Sequence, residues 1–237
     1  MSTTVHEIAV PAALSPSSLA DLADRLAAVR DGVAVLRGSP EIFCRGIDFL
    51  ALDASDQKAN ERALDNFARC LRSLRRAPAP CIAVVDAPAL GGGLGLAAAC
   101  DVVIATPRAR FGLPEALFGL YPAMILAALE ERMIPQRARR LALEGASIDA
   151  NAACALGLVD EIAEDADRAV ARWVRTLGRA TTEGVTALKN HPPTADRFDA
   201  ALSAGRLRTA EALLDDAVRA RVRAFITDES MPWGDPR

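Results

Sequence analysis

Pro88-Ala-Leu-Gly-Gly-Gly-Leu-Gly-Leu-Ala-Ala-Ala-Cys-Asp101 lies between two apolar runs, Cys81-Ile-Ala-Val-Val85 and Val102-Val-Ile-Ala105. The runs read as buried strands, so a triple glycine falls where a strand becomes a helix. Glycines there remove the Cβ atoms that would keep a ligand off the backbone, and the first turn of a helix leaves its N–H groups unpaired. The segment is therefore built to hold negative charge, either a phosphate or a developing oxyanion. It is a poor phosphate loop: Gly91-Gly-Gly-Leu-Gly95 has no following Lys-Ser/Thr, and no convincing acidic ribose partner stands about twenty residues on.

Around this turn, strands alternate with helices. Glu7-Ile-Ala-Val10 and Val33-Ala-Val-Leu36 read as strands, and Ser17 to Arg30 carries Leu19, Leu22, Leu26 and Val29 at helical spacing. Gly38-Ser-Pro40 turns the chain into Glu41-Ile-Phe-Cys-Arg-Gly-Ile-Asp-Phe49. A second helix is predicted from about Gln57 to Arg76, with Leu64, Phe67, Leu71 and Leu74 on one side, stopped by Pro78 and Pro80. The pattern predicts an α/β layered domain. Beyond Pro122 it turns mostly helical: Ala123 to Met133, Gln136 to Glu144, and a short helix capped by Asp149 and closed by Gly157. Leu158-Val-Asp-Glu-Ile162 reads as a last strand, and from Ala195 to Thr227 an apolar stripe of Leu207, Ala210, Leu214, Ala217, Val218 and Phe225 runs along an Arg-rich helix.

Composition narrows the function. A formal net charge of −3 and 4% aromatic residues give neither the electrostatics nor the stacking platforms of a nucleic-acid binder. The two histidines, His6 and His191, have no metal-ligand spacing, so no metal site is expected. The five cysteines form no CxxC pair and read as reduced thiols, Cys44 and Cys100 among core residues. No apolar stretch is long enough to span a bilayer and no basic-then-apolar leader opens the chain, so a cytoplasmic protein is expected.

Two further segments give the glycine turn its meaning: Phe43-Cys-Arg-Gly-Ile-Asp-Phe49 and Phe111-Gly-Leu-Pro-Glu-Ala-Leu-Phe-Gly-Leu120, each after a strand. In this order and at these separations, the set resembles the signatures of the crotonase (enoyl-CoA hydratase/isomerase) superfamily. The likeness runs from about Val33 to Ile162, including Ser147-Ile-Asp-Ala-Asn-Ala-Ala-Cys-Ala-Leu-Gly-Leu-Val-Asp160. It implies a spiral of ββα units over residues 1–180, and a helical C-terminal region over 181–237 that contributes oligomer contacts in a homotrimer or hexamer. It implies a thioester substrate carried on CoA or on the phosphopantetheine of an acyl carrier protein, with no further cofactor.

By motif matching, the backbone N–H groups of Ile47 and Gly92 would grip the thioester carbonyl, and Glu115 would move the proton. Cys44, Gly46, Asp48, Gly91, Gly95 and Tyr121 are assigned to substrate binding on the same ground. Each carries a plainer reading. Glu115 after Pro114 suits a helix opening. Asp48 suits a hydrogen-bonded loop better than a base, Tyr121 is pocket lining or a half-buried wall residue, and the glycines suit close packing.

Hydratases of this superfamily generally carry two glutamates, one of which aligns with Gly95. Two-carboxylate hydration therefore gives way to one-carboxylate chemistry. Leu117-Phe-Gly-Leu-Tyr-Pro-Ala123 is similar to the dehydratases of polyketide β-branching, which convert carrier-bound 3-hydroxy-3-methylglutaryl groups to 3-methylglutaconyl groups. A single-glutamate isomerase, a decarboxylase of the same superfamily and a catalytically silent scaffold are the alternatives. A diacid substrate needs a cation, for which Arg45, Arg62 and Lys189 are candidates, each equally readable as solvated surface charge. Arg69, Arg72, Arg75 and Arg76 could form a basic rim for an acidic carrier or simply a solvated face.

Overall fold

The computed structural model describes residues 3–48, 51 and 56–228. Successive turns of the chain each lay a strand in a large sheet, a short strand or bridge in a second layer, and a helix across them. The first turn is β1 (Val5–Ala9), Leu14 and α1 (Pro16–Ala28); the second is β2 (Val33–Arg37), Cys44 to Ile47, and α2 (Gln57–Arg76). The third is β3 (Cys81–Val85), β4 (Ala89–Leu90) and α3 (Gly92–Ala99). The fourth is β5 (Val102–Ala105), β6 (Arg110–Gly112), a 3₁₀ turn (Glu115–Phe118) and α4 (Ala123–Leu129). Then follow α5 (Pro135–Glu144), β7 (Ser147–Asp149), α6 (Ala150–Ala155) and β8 (Glu161–Ile162). Helices α7 (Ala166–Leu177), α8 (Thr182–Lys189), α9 (Thr194–Leu214) and α10 (Asp216–Asp228) complete the described chain.

The large sheet is parallel throughout, in the order β1-β2-β3-β5-β8, with Ala34 opposite Cys81 and Ile82 opposite Val102. In the second layer Leu14 bridges Ile47, Cys44 bridges Ala89, and β4 pairs with β6. Both layers therefore climb in chain order, which is the expected ββα spiral; only β7 runs antiparallel, against β6. Parallel pairing forces a crossover between strands, which is why a helix closes each turn.

The strands read as continuous apolar runs because both sheet faces are covered. Ala34, Leu36, Cys81, Ala83 and Val85 enter the main core, whereas Val33, Val35, Ile82, Val84, Val102 and Ile104 face Ala169 and Val170 of α7. Helix α7 and its neighbour α8 are absent from the sequence expectation, although Ala166, Ala169, Val170, Trp173, Val174 and Leu177 carry a clear helical period. Asp149 caps α6 as expected, accepting from the Ala152 N–H at 2.8 Å.

The single C-terminal helix expected from Ala195 to Thr227 is two helices, broken at Asp215. Its stripe is corrected in part: Val218 is buried and Ala210 packs against the core, but Leu207, Leu214, Ala217 and Phe225 are exposed, while Phe198, Leu202, Gly205 and Thr209 are buried. The face is set by close approach to α4, since a Cβ on Gly205 would lie 2.7 Å from the Met124 nitrogen. Among the described residues no helix is long and apolar enough to cross a membrane.

Candidate active site

The glycine turn folds as its sequence demands. Gly91 takes φ +52° and ψ −123°, a conformation open in practice to glycine alone, and Gly92 starts α3. The Gly91 N–H is used by the Gly112 carbonyl at 2.9 Å. The Gly92 N–H, at the first helical position, has no acceptor within its own helix.

The second backbone donor comes from the Cys44–Asp48 segment. Leu14 donates to the Gly46 carbonyl at 2.8 Å and accepts from the Asp48 N–H at 3.1 Å. In such a parallel bridge, the N–H of the residue between, Ile47, points away from Leu14. Gly46, at φ +90°, presses against the glycine turn: a Cβ there would lie 2.8 Å from the Gly92 nitrogen and 3.1 Å from the Leu90 oxygen. Two bare backbones in contact thus bring Ile47 and Gly92 to one wall of a cleft, which both line.

Glu115 opens the 3₁₀ turn that follows β6. Its carboxyl lies beside Gly91, where a Cβ would stand 2.5 Å from Oε1, and its Oε2 is shut off from solvent with no hydrogen-bond partner. Although the residue as a whole is half-buried, burial of the carboxyl pushes its pKa up from 4.5 to about 7. Glu115 thus opens a helical turn, as the plainer reading has it, while its carboxyl is turned into the cleft.

The cleft and the open solvent at its mouth together span about 590 Å³, and its walls are mainly apolar: Ile47, Phe67, Phe118, Leu120, Met124 and Ile125. Tyr121, 55% exposed, and Arg45 stand on the wall toward solvent. Among the described residues, Glu115 is the sole carboxylate in the lining. Gly95 lies behind the wall, where a Cβ would meet Ile125 at 3.3 Å and Phe67 at 3.4 Å.

Cys44, Gly46 and Asp48 also stand behind the lining rather than in it. The Cys44 thiol accepts from the Gly46 N–H at 3.4 Å, packs against Gly93, and is raised to about 11 by burial. Asp48 accepts from the Ala51 N–H at 3.3 Å, as a loop-holding group does. Phe49 lies outside the described residues. Sequence reasoning missed Met124, Ile125 and Thr209 as lining; the two apolar residues look like ordinary core positions in sequence, and Thr209 carries no signal at all.

The candidate cations separate cleanly. Arg45 is exposed, lines the cleft and forms no ion pair among the described residues. Arg62 is exposed on α2, 4.0 Å from Asp56. Lys189 corrects its solvated reading: it is 5% exposed, with Nζ 2.6 Å from Asp101 and donating to the Ala79 carbonyl at 3.3 Å. The arginines of the expected rim are each paired, Arg69 with Asp24, Arg75 with Glu131, and Arg72 and Arg76 both with Asp199. They tie α2 to α1, α9 and the α4–α5 connection instead of presenting free charge.

A ββα spiral whose glycine turn and buried Glu115 carboxyl line one cleft defines a crotonase-fold protein. The chain belongs to the enoyl-CoA hydratase/isomerase family, whose model matches residues 3–217. It is 28% identical over 206 residues to the bacillaene synthase dehydratase PksH of Bacillus subtilis, covering 86% of this chain and 80% of that protein. It is 35% identical over 133 residues to the enoyl-CoA isomerase/hydratase fer4 of Mycosarcoma maydis, covering 55% of this chain and about half (48%) of that one. The crystal structure of a putative enoyl-CoA hydratase from Mycobacterium avium paratuberculosis superposes with a TM-score of 0.83 at 30% identity, covering 98% of this chain and 94% of that one.

Proposed function

We propose that this protein is a dehydratase that removes water from a 3-hydroxy-3-methylglutaryl thioester, carried on an acyl carrier protein or CoA, to give the 3-methylglutaconyl thioester of polyketide β-branching. The observation that carries this reading is Glu115, the one carboxylate of the cleft lining among the described residues, poised near pH 7.

The thioester carbonyl oxygen accepts from the Ile47 and Gly92 amides. As Glu115 takes the proton from the carbon next to the thioester, the enolate oxygen gains charge that these fixed donors stabilise; losing one such donor typically costs about 3 kcal/mol of barrier. The protonated Glu115 then gives that proton to the hydroxyl on the adjacent carbon of the same face. The carbon–oxygen bond breaks, the double bond forms, water leaves, and Glu115 is again a carboxylate. One group serves both steps because its pKa sits where it can accept and return a proton.

The apolar wall keeps bulk water from the enolate, and Arg45, exposed in the cleft lining, suits the free carboxylate of a diacid. The relationship to a protein named a dehydratase supports elimination over isomerisation. The same reading includes a homotrimer or hexamer in the cytoplasm, with residues 181–237 in its contacts.

The test is intact-mass spectrometry of a 3-hydroxy-3-methylglutaryl carrier protein incubated with wild type and Glu115→Gln. Loss of one water with wild type only supports the reading. Unchanged mass, with 3-enoyl-CoA isomerised instead, selects the isomerase; silence toward both selects the scaffold.

A further inference from the structure

The 3₁₀ turn that carries Glu115 is four residues long, and such turns are weak by themselves. It nevertheless holds a carboxyl with a buried, unpartnered oxygen against a glycine. At its ends the Leu117 N–H donates to the Pro114 carbonyl at 2.9 Å, the Gly119 N–H to the Ala116 carbonyl at 3.1 Å and to that of Glu115, and the Leu120 N–H to the Glu115 carbonyl at 3.0 Å. Something beyond the turn must keep it in place.

Helix α10 packs against the turn along one face. Val218 and Val222 are buried against Leu120, and the rings of Phe118 and Phe225 meet with centroids 5.0 Å apart. Between them, Arg221 donates from Nε to the Phe118 carbonyl at 2.9 Å. Its guanidinium also fills the space that a Cβ on Gly119 would take, at the left-handed residue (φ +81°) that ends the turn. A cation on the last carbonyls of a helical turn is well placed both as a donor and as a charge.

We infer that Arg221 is a positioning residue for Glu115, and that α10 is a latch that holds the catalytic turn closed over the cleft. The inference rests on Glu115 being the acid/base of the proposed reaction, but its test does not need the substrate. The other ionisable side chains of the cleft wall, among the described residues, are Arg45 and Tyr121. Helix α5 touches the far side of the turn through Gly145 and Leu117 and, among the described residues, adds no charged group to the lining.

The experiment follows the Glu115 carboxyl carbon by ¹³C NMR in full-length protein labelled at glutamate carboxyls, assigned by its absence in Glu115→Gln. Wild type should titrate near 7. Arg221→Ala should titrate lower by about one unit or more, because a loosened turn lets water reach the carboxyl. Removing a nearby positive charge without loosening would move the midpoint upward, so a downward shift is specific to the latch. Phe225→Ala, which leaves every charge in place, should shift it the same way by less, and Arg221→Lys should recover part of the wild-type value. If Arg221→Ala unfolds, the Phe225→Ala and Arg221→Lys titrations decide. Midpoints that stay at the wild-type value, or rise, in folded variants overturn the inference. Should wild type dehydrate nothing, the titration still reads the latch, so the two failures are separable.

Discussion

The Glu115 carboxyl and the bare Cα of Gly91 occupy adjoining space, such that a single methyl group on Gly91 would stand 2.5 Å from Oε1. The glycine turn and the Glu115 carboxyl are thus placed by one contact. Gly91→Ala should act twice: it forces an L-residue into φ +52°, ψ −123°, and it pushes the carboxylate aside. The first effect should cost about 1–3 kcal/mol of stability. The second should cost about 100-fold in turnover, as a displacement of about 1 Å at a reacting group does. Thermal melts and carrier-protein assays on the same sample read both; full turnover in Gly91→Ala would refute the placement.

The buried carboxyl links stability to pH with a definite sign. Glu115 is raised from 4.5 to about 7 by burial, so between those values the folded chain binds more proton than the unfolded one. Stability should therefore fall as pH rises through this window, with no penalty below about pH 4.5 and a full penalty of about 3 kcal/mol above pH 7. Glu115→Gln is neutral at every pH and escapes it. Urea unfolding should show the variant gaining on wild type by up to about 3 kcal/mol from about pH 4.5 to about pH 8. A difference flat with pH would mean that the carboxyl is solvated. In wild type, kcat/KM should rise with pH through an acidic limb near 7, since the carboxylate form takes the first proton.

What was legible in sequence followed from local pattern. The strand-glycine-helix transition at Cys81 to Ala99 declares itself through β-branched residues and three glycines, and it carries both Gly91 and Gly92. Glu115 was readable only through the resemblance of Leu113-Pro-Glu-Ala116 to the superfamily motif, since a Pro-Glu step by itself reads as a helix opening. The apolar wall was not, because Phe67, Met124 and Ile125 obey the same periodicity as any core residue, and only the tertiary path decides which of them faces a void. The C-terminal stripe held at Val218 and Ala210 and failed elsewhere for a related reason: Gly205 and Thr209 have little apolar weight, yet close helix approach buries them in preference to Leu207. Lys189 was misjudged because a charge is buried only when a partner waits, and Asp101 is 88 positions away.

That buried pair predicts a stability effect far from the cleft. Lys189 Nζ lies 2.6 Å from Asp101 Oδ2, which also accepts from the Cys81 N–H at 2.8 Å at the start of β3. Lys189→Met should leave the carboxylate short of its counter-charge and cost about 3–5 kcal/mol, while adding Asp101→Asn should recover part of that loss. Denaturant unfolding of the two variants checks it. A single variant as stable as wild type would show that α8 is not tied to the sheet through this pair.

Gly95 tests why the chain has one carboxylate and not two. The Gly95 position, which the resemblance aligns with the other glutamate of superfamily hydratases, is walled off by Ile125 and Phe67, at 3.3 and 3.4 Å from a Cβ. Gly95→Ala needs those side chains to yield by only a few tenths of an ångström and gains helix propensity of about 1 kcal/mol, so its net effect on stability should be small. Gly95→Glu must force an ionisable group into an apolar wall, which should cost about 3 kcal/mol or more and create no hydration of a simple 2-enoyl thioester. Gly95→Glu combined with Ile125→Gly opens the space and should recover part of the lost stability. If Gly95→Glu alone hydrates a 2-enoyl thioester, the wall is not what restricts the cleft to one-carboxylate chemistry, and the missing glutamate alone accounts for it.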